Sequence, residues 1–227
     1  MTGRLSEVRD SGMTDRAVRT QGDILDVATS EFAANGYAGA RVDEIAARTR
    51  TTKRMIYYYF GSKEGLYLAV LERVYAQIRR VERGIRIDEL SADEALRKIA
   101  EATYDHHTTH EALIQLVSIE NIHRAEHLRQ SETILRENVT AITLLEEVMD
   151  RGVQEGVFRD DIDALDVHMM ISAYACFHVA NRHTFRAIFD RDMLDPALQD
   201  SHRRLIGDMV VATVTDRHGG RAGDATA

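Results

Sequence analysis

One proline, one cysteine and no tryptophan stand in 227 residues. Proline removes a backbone donor and breaks helix interiors, so a chain with one can run long helices almost uninterrupted. The lone cysteine, Cys176, cannot make an internal disulfide, which excludes a disulfide-stapled scaffold and fits a reducing compartment. It lies in an apolar helical run and is expected as a packing residue. A run of about 18 apolar residues, enough to span a membrane as a helix, is missing. The first residues lack the apolar core of an export signal, so the expected location is the cytoplasm. Period-two alternation is also missing, which argues against strands.

What is present reads as helix. With 44% hydrophobic and 29% charged residues, the composition is that of an ordinary globular protein. Thr20-Gln21-Gly22-Asp23 resembles a capping pattern, after which Ile24, Ala28 and Phe32 line one face and Gly36 ends the helix. Ser62 opens a long helix to about Arg83. Ser91-Ala92-Asp93-Glu94 is a capping box for a helix to about His107. Further helices are expected over His110–His127, Ser131–Gln154, from Asp163 to about Phe189, and from the Asp195-Pro196 start signal to about Arg217. The expectation is an all-α protein of about nine helices. Residues 1–15 and 218–227 are expected as irregular tails, 16–66 as a small N-terminal domain and 67–217 as a larger helical one.

The chemistry concentrates between Arg41 and Leu66. Val42, Ile45 and Ala46 repeat at helical spacing, Thr49-Arg50-Thr51-Thr52 interrupts them, and Lys53–Phe60 resumes as helix with Thr52 as a plausible N-cap. Two short helices joined by three or four residues describe a helix-turn-helix, whose second helix can enter a DNA major groove. From Arg41 to Lys63 six basic residues face two acidic ones, a local charge of +4 in a chain of −8. Such a positive island is the footprint of a phosphate-binding surface. A tyrosine there can reach a phosphate with its hydroxyl while its ring packs on a sugar or a thymine methyl. The residues expected near bases and phosphates are Lys53, Arg54, Tyr57 and Tyr58, with Thr52, Arg41 and Lys63 on the DNA backbone.

Tyr57-Tyr58-Tyr59-Phe60-Gly61-Ser62-Lys63-Glu64-Gly65-Leu66, preceded by Val42-Asp43-Glu44-Ile45-Ala46 and by Ile24-Leu25-Asp26-Val27-Ala28 with Phe32 and Gly36-Tyr37, resembles the DNA-binding end of the TetR-type repressors. The resemblance couples three helices at fixed spacings over about Thr20–Leu71. It departs from the family at Arg50, where a small residue is usual, at Thr51, where an apolar one is usual, and at Arg41, where a capping Thr or Ser is usual. It implies a dimeric, ligand-responsive regulator that leaves a palindromic operator when a small-molecule effector binds the larger domain.

The larger domain is less explicit. Val167, Met170, Ile171, Tyr174, Phe177, Phe185 and Ile188, with Leu198, Leu205, Ile206, Met209, Val210 and Val214, make the last two helices apolar on more than one side. They need a core and a second cover, such as the same pair from another copy in a four-helix bundle. Two recognition helices about 34–36 Å apart would then meet successive major grooves of double-stranded DNA. Tyr174, His178, Asn181 and Phe185 form one stripe; Thr103, His107 and Asn121 also sit on otherwise apolar faces. Buried polar groups need partners, so these residues either bond to each other, sit at a dimer interface or line an effector pocket, for which Thr103, His107, Asn121, Tyr174, His178 and Asn181 are the candidates. His106/His110 and His123/His127 are i, i+4 pairs, but no Cys cluster or HExxH pattern accompanies them. Arg124 and Glu126 beside the second pair suggest a solvent face, so no metal and no cofactor are expected. The alternatives are an all-helical enzyme, for which no nucleophile–base pair is at hand, or a DNA-binding protein without an effector.

Overall fold

The structure, a computed structural model, describes residues 3–215, without the side chains of 3–16 and 137–141. Ten α-helices follow one another among the described residues: α1 (Gly3–Gly39), α2 (Val42–Arg48), α3 (Lys53–Phe60), α4 (Lys63–Arg83), α5 (Ala92–Thr109), α6 (Glu111–Ile122), α7 (Glu132–Gln154), α8 (Ala164–Ala180), α9 (Arg182–Phe189) and α10 (Pro196–Val214). Single 3-10 turns fill Ile87–Glu89 and Leu128–Gln130. The extended pairing among the described residues is one bridge between Phe158 and Thr215.

Local chemistry sets most of the boundaries. The Thr52 hydroxyl accepts from the Met55 N–H at the start of α3, and the Ser62 hydroxyl from the Gly65 N–H at the start of α4. The Glu94 carboxylate accepts from the N–H and the hydroxyl of Ser91, closing the capping box of α5. Asp163 and Asp195 cap α8 and α10 through the N–H groups of Asp166 and Ala197. Gly36 takes φ +67, the left-handed conformation that glycine adopts without a Cβ penalty, and the regular turns of α1 stop there.

Three boundaries differ from expectation. The backbone of α1 already runs as helix before Thr20, so Thr20 is an interior residue and not a cap; no proline interrupts that stretch. The expected tail 218–227 lies outside the described residues. The helix expected over His110–His127 ends at Ile122, and residues 123–131 turn back through left-handed conformations at Arg124 (φ 59) and Ala125 (φ 57). The helix expected from Asp163 to Phe189 breaks at Asn181, which separates α8 from α9, so Phe185 stands on a different helix from Tyr174 and His178.

The chain forms two compact units. The first comprises the residues up to Val74 together with Gln115–Glu132; the second comprises Tyr75–Ile114 and the residues from Thr133 on. The core of the first gathers Ile24, Ala28 and Phe32 of α1, Val42, Ile45 and Ala46 of α2, Ile56 of α3 and Leu66, Val70 and Leu71 of α4, all buried. These are the apolar positions at helical spacing, and burying each aliphatic side chain contributes about 1.5–3 kcal/mol. The core of the second joins Leu96, Ile99 and Tyr104 of α5 to Leu145 and Val148 of α7, Val167 and Ile171 of α8 and Ile206 and Val210 of α10.

Candidate nucleic-acid interface

Helix α3 buries one side and bares the other. Ile56 is wholly buried, while Lys53, Arg54, Tyr57 and Tyr58, at i, i+1, i+4 and i+5, share the exposed face. Tyr58 is 77% exposed, so its ring and hydroxyl are free to meet a partner. Its ring leans edge-on against Tyr59 at 5.4 Å. Thr52 at the N-terminus keeps its hydroxyl hydrogen for a further acceptor, because the oxygen only accepts from Met55.

The turn that presents α3 is built from the residues that depart from the family pattern. Arg50 sits at φ 53, in the left-handed region, which accounts for the family's preference for a small residue there. Arg41 occupies the N-cap of α2 with no side-chain capping bond, and its N–H donates instead to the buried carboxylate of Glu31 at 3.3 Å. Glu31 also meets Arg48 at 3.5 Å, so one carboxylate from α1 ties both ends of α2. Gly65 allows the other close approach: a Cβ there would lie 2.1 Å from the Phe60 carbonyl oxygen.

The cations divide into two sets. Lys53 pairs with Asp43 at 3.1 Å on the surface, and Lys63 donates to the Ala38 carbonyl at 3.3 Å with its ammonium 5.0 Å over the Tyr37 ring. Arg41, Arg50 and Arg54 are exposed and enter no ion pair among the described residues. The surface therefore offers three unpaired guanidinium groups and two ammonium groups held lightly, for which a phosphate is a stronger partner than a carbonyl. Tyr37, which is absent from the residues expected at this site, lies under the Lys63 ammonium. Burial, with help from the Glu64 carboxylate, holds its phenol above the usual tyrosine range, so it stays a neutral donor. Its place directly after Gly36 is the one sequence signal that points to it.

The candidate effector residues do not gather at one place. Tyr174 and His178 line a trough of about 700 Å³ formed by α8, α9 and α10, with Phe177, Phe185, Met193 and His202 among its other walls. His178 Nδ1 is bonded to the Tyr174 carbonyl, and burial keeps its pKa below the usual imidazole range. Thr103 and His107 are buried on α5, with His107 Nδ1 on the Thr103 carbonyl at 2.8 Å. Asn181 is half-buried at the α8–α9 break. Asn121, expected on an apolar face, is exposed, belongs to the first unit and donates to the Val117 carbonyl of its own helix.

The histidine pairs also resolve. His106 and His110 stack with ring centroids 4.1 Å apart, and no group of three or more metal-ligating side chains occurs among the described residues. His127, expected at a solvent face, is buried, because the turn after Ile122 swings it inward. Burial raises the Cys176 thiol to about 11, so it is a poor nucleophile.

A capped helix that turns cations and tyrosines outward from a three-helix brace is the reading head of a helix-turn-helix DNA-binding protein. Comparison with known proteins narrows the class. Residues 24–70 match the bacterial regulatory proteins of the tetR family, and residues 93–210 match the tetracyclin repressor-like C-terminal domain. The chain belongs to the tetR family of transcriptional regulators and is not an enzyme. It is 31% identical over 206 residues to the HTH-type transcriptional repressor NicS of Pseudomonas putida, covering 90% of this chain and 97% of that one. It is 30% identical over 167 residues to the HTH-type transcriptional repressor SCO4008 of Streptomyces coelicolor, covering 69% and 76%. The same fold recurs in the transcriptional regulator FadR from Bacillus subtilis, solved in complex with stearoyl-CoA, with a TM-score of 0.62 at 23% identity over 85% and 98% of the two chains.

Proposed function

We propose that this protein is a cytoplasmic repressor that binds a palindromic operator as a homodimer and leaves it when a small-molecule effector occupies the larger unit. The observation that carries the reading is the exposed face of α3, where Arg54, Tyr57 and Tyr58 stand clear of the core behind a Thr52-capped N-terminus. Lys53 and Arg54 sit at the end of the helix that enters a major groove first, so they read base edges, while Thr52, Arg41 and Lys63 hold phosphates.

Pairing rests on a second apolar strip. Leu165, Met169 and Phe177 of α8 and Leu205 and Met209 of α10 are exposed, while the opposite faces of the same helices fill the core. The effector reading is supported by the trough beside Tyr174 and His178, which is mostly apolar with a few converging polar groups, as small-molecule sites are; it shares Phe177, Leu205 and Met209 with the pairing strip, so a second copy would close over an effector bound there. An effector acts only through its differential affinity for the two conformers.

The test is a fluorescence-anisotropy titration against a duplex selected from random DNA by the wild-type protein, with salt varied. Lys63→Ala should weaken binding to every sequence and flatten the slope of log K against log salt by about 1 per protomer. An unchanged slope would remove Lys63 from the backbone contacts.

A further inference from the structure

Glu120 is buried where an apolar side chain would pack at less cost. It is 2% exposed, and its carboxylate accepts from the Tyr67 hydroxyl at 3.0 Å, from the Leu128 N–H at 3.0 Å and from His127 Nδ1 at 3.2 Å, in the tautomer that donates there. Its backbone carbonyl accepts from the Ala125 N–H at 2.7 Å. The turn so held carries Arg124 and Ala125, both in the left-handed region and neither a glycine. Such conformations persist only where surrounding contacts over-determine them. A second anchor, Ser131, donates to Glu72 of α4 at 2.7 Å. All these groups lie in the first unit, although Gln115–Glu132 is remote in sequence from the helix-turn-helix.

The network ends at the DNA-facing groups. The His127 ring lies 4.3 Å from Tyr37 and 4.9 Å from Tyr67, and Tyr37 and Tyr67 are 5.2 Å apart. Tyr37 in turn is the platform under the Lys63 ammonium. A displaced Glu120 would therefore release His127 and Tyr67, then the Tyr37 ring, then Lys63.

We propose that Glu120, Tyr67 and His127 are positioning residues for DNA binding, which hold Tyr37 and Lys63 at the height from which they meet phosphates, so that Gln115–Glu132 works as a lever on the reading head. The proposal rests on the assignment of Lys63 to the DNA backbone made above. Hydrogen bonds suit this task better than apolar contact. They weaken steeply beyond about 3.5 Å, so a shift of α6 by about 1 Å breaks them, whereas an apolar contact slides. A buried carboxylate is also no gain in stability over apolar packing of the same volume, whereas hydrogen bonds of fixed direction give one arrangement or none. The strained turn adds a reason to spring away once the carboxylate moves.

Tyr67→Phe and Glu120→Gln in the full chain test this in the same anisotropy titration. Each should bind the selected duplex about tenfold more weakly and flatten the salt slope by up to about 1 per protomer, with an unchanged far-UV circular dichroism spectrum. Adding Lys63→Ala to Tyr67→Phe should flatten it no further, because the contact is already lost. A wild-type slope in both variants, or flattening that adds in full to that of Lys63→Ala, overturns the proposal. Tyr67→Phe removes a single oxygen and carries the test should Glu120→Gln misfold. A wild-type protein that binds no duplex in a salt-dependent way would instead overturn the DNA-binding assignment itself.

Discussion

Arg50 shows how one side chain can serve binding at the expense of the fold. Its left-handed backbone is disfavoured by about 1 kcal/mol for a residue with a Cβ, yet its guanidinium is exposed and unpaired beside α3. Arg50→Gly is expected to raise the melting temperature by about 2–4 °C, read by circular dichroism, and to weaken binding of arbitrary DNA at low salt. A lower melting temperature would show that the arginine stabilises the turn. At this scale much is legible in the sequence. Thr52, Ser62, Asp163 and Asp195 accept from N–H groups two or three residues on, and Glu94 accepts from the N–H of Ser91 three residues back, so the sequence carries both partners. The candidate effector residues are not legible in the same way. Tyr174 and His178 reach a trough whose walls come from three successive helices folded against each other, and Asn121 belongs to another unit. Spacing along one helix gives the face of a residue and not what that face meets.

Among the elements, α8 and α10 each carry two apolar faces, and the spacing of their apolar residues marks both. One face holds Val167, Ile171, Ile206 and Val210 in the core; the other leaves Met169, Phe177, Leu205 and Met209 in water. Exposed methionine, leucine and phenylalanine in one strip mark an interaction surface. Phe177→Asp should leave the fold intact and convert a dimer into a monomer by sedimentation, with DNA affinity falling by at least tenfold because two linked half-sites become one. A dimer that persists with unchanged affinity would move the pairing surface elsewhere. The breaks at Ile122 and Asn181 are hidden in the sequence for a common reason. No glycine or proline marks either, and the turn after Ile122 is held by the side chain of Glu120 acting on residues up to eight positions away.

Four of the nine described histidines, His106, His107, His127 and His178, are buried. Burial pushes His106 and His107 down to about 4 from the ordinary 6.5, and it lowers His168, His178 and His202 as well. The unfolded chain binds protons at these imidazoles as pH falls through about 6.5, while the folded chain refuses them until about 4. Their contribution to stability is therefore complete above about pH 6.5 and is lost progressively between 6.5 and 4. Glu82 and Asp105 work in the opposite sense, because burial holds both above the usual carboxylate range and the folded state takes their protons first. The histidines outnumber them and titrate earlier, so they decide the sign down to about pH 5. Urea unfolding midpoints should fall between pH 7.5 and pH 5, with a slope on the order of 1–2 kcal/mol per pH unit at the acid end. His106→Phe should reduce that slope, since the ring stacked on His110 would no longer take up a proton on unfolding. A midpoint that stays constant over the same range would mean that the interior admits the charged imidazoles, contrary to the burial of His106 and His107 on α5.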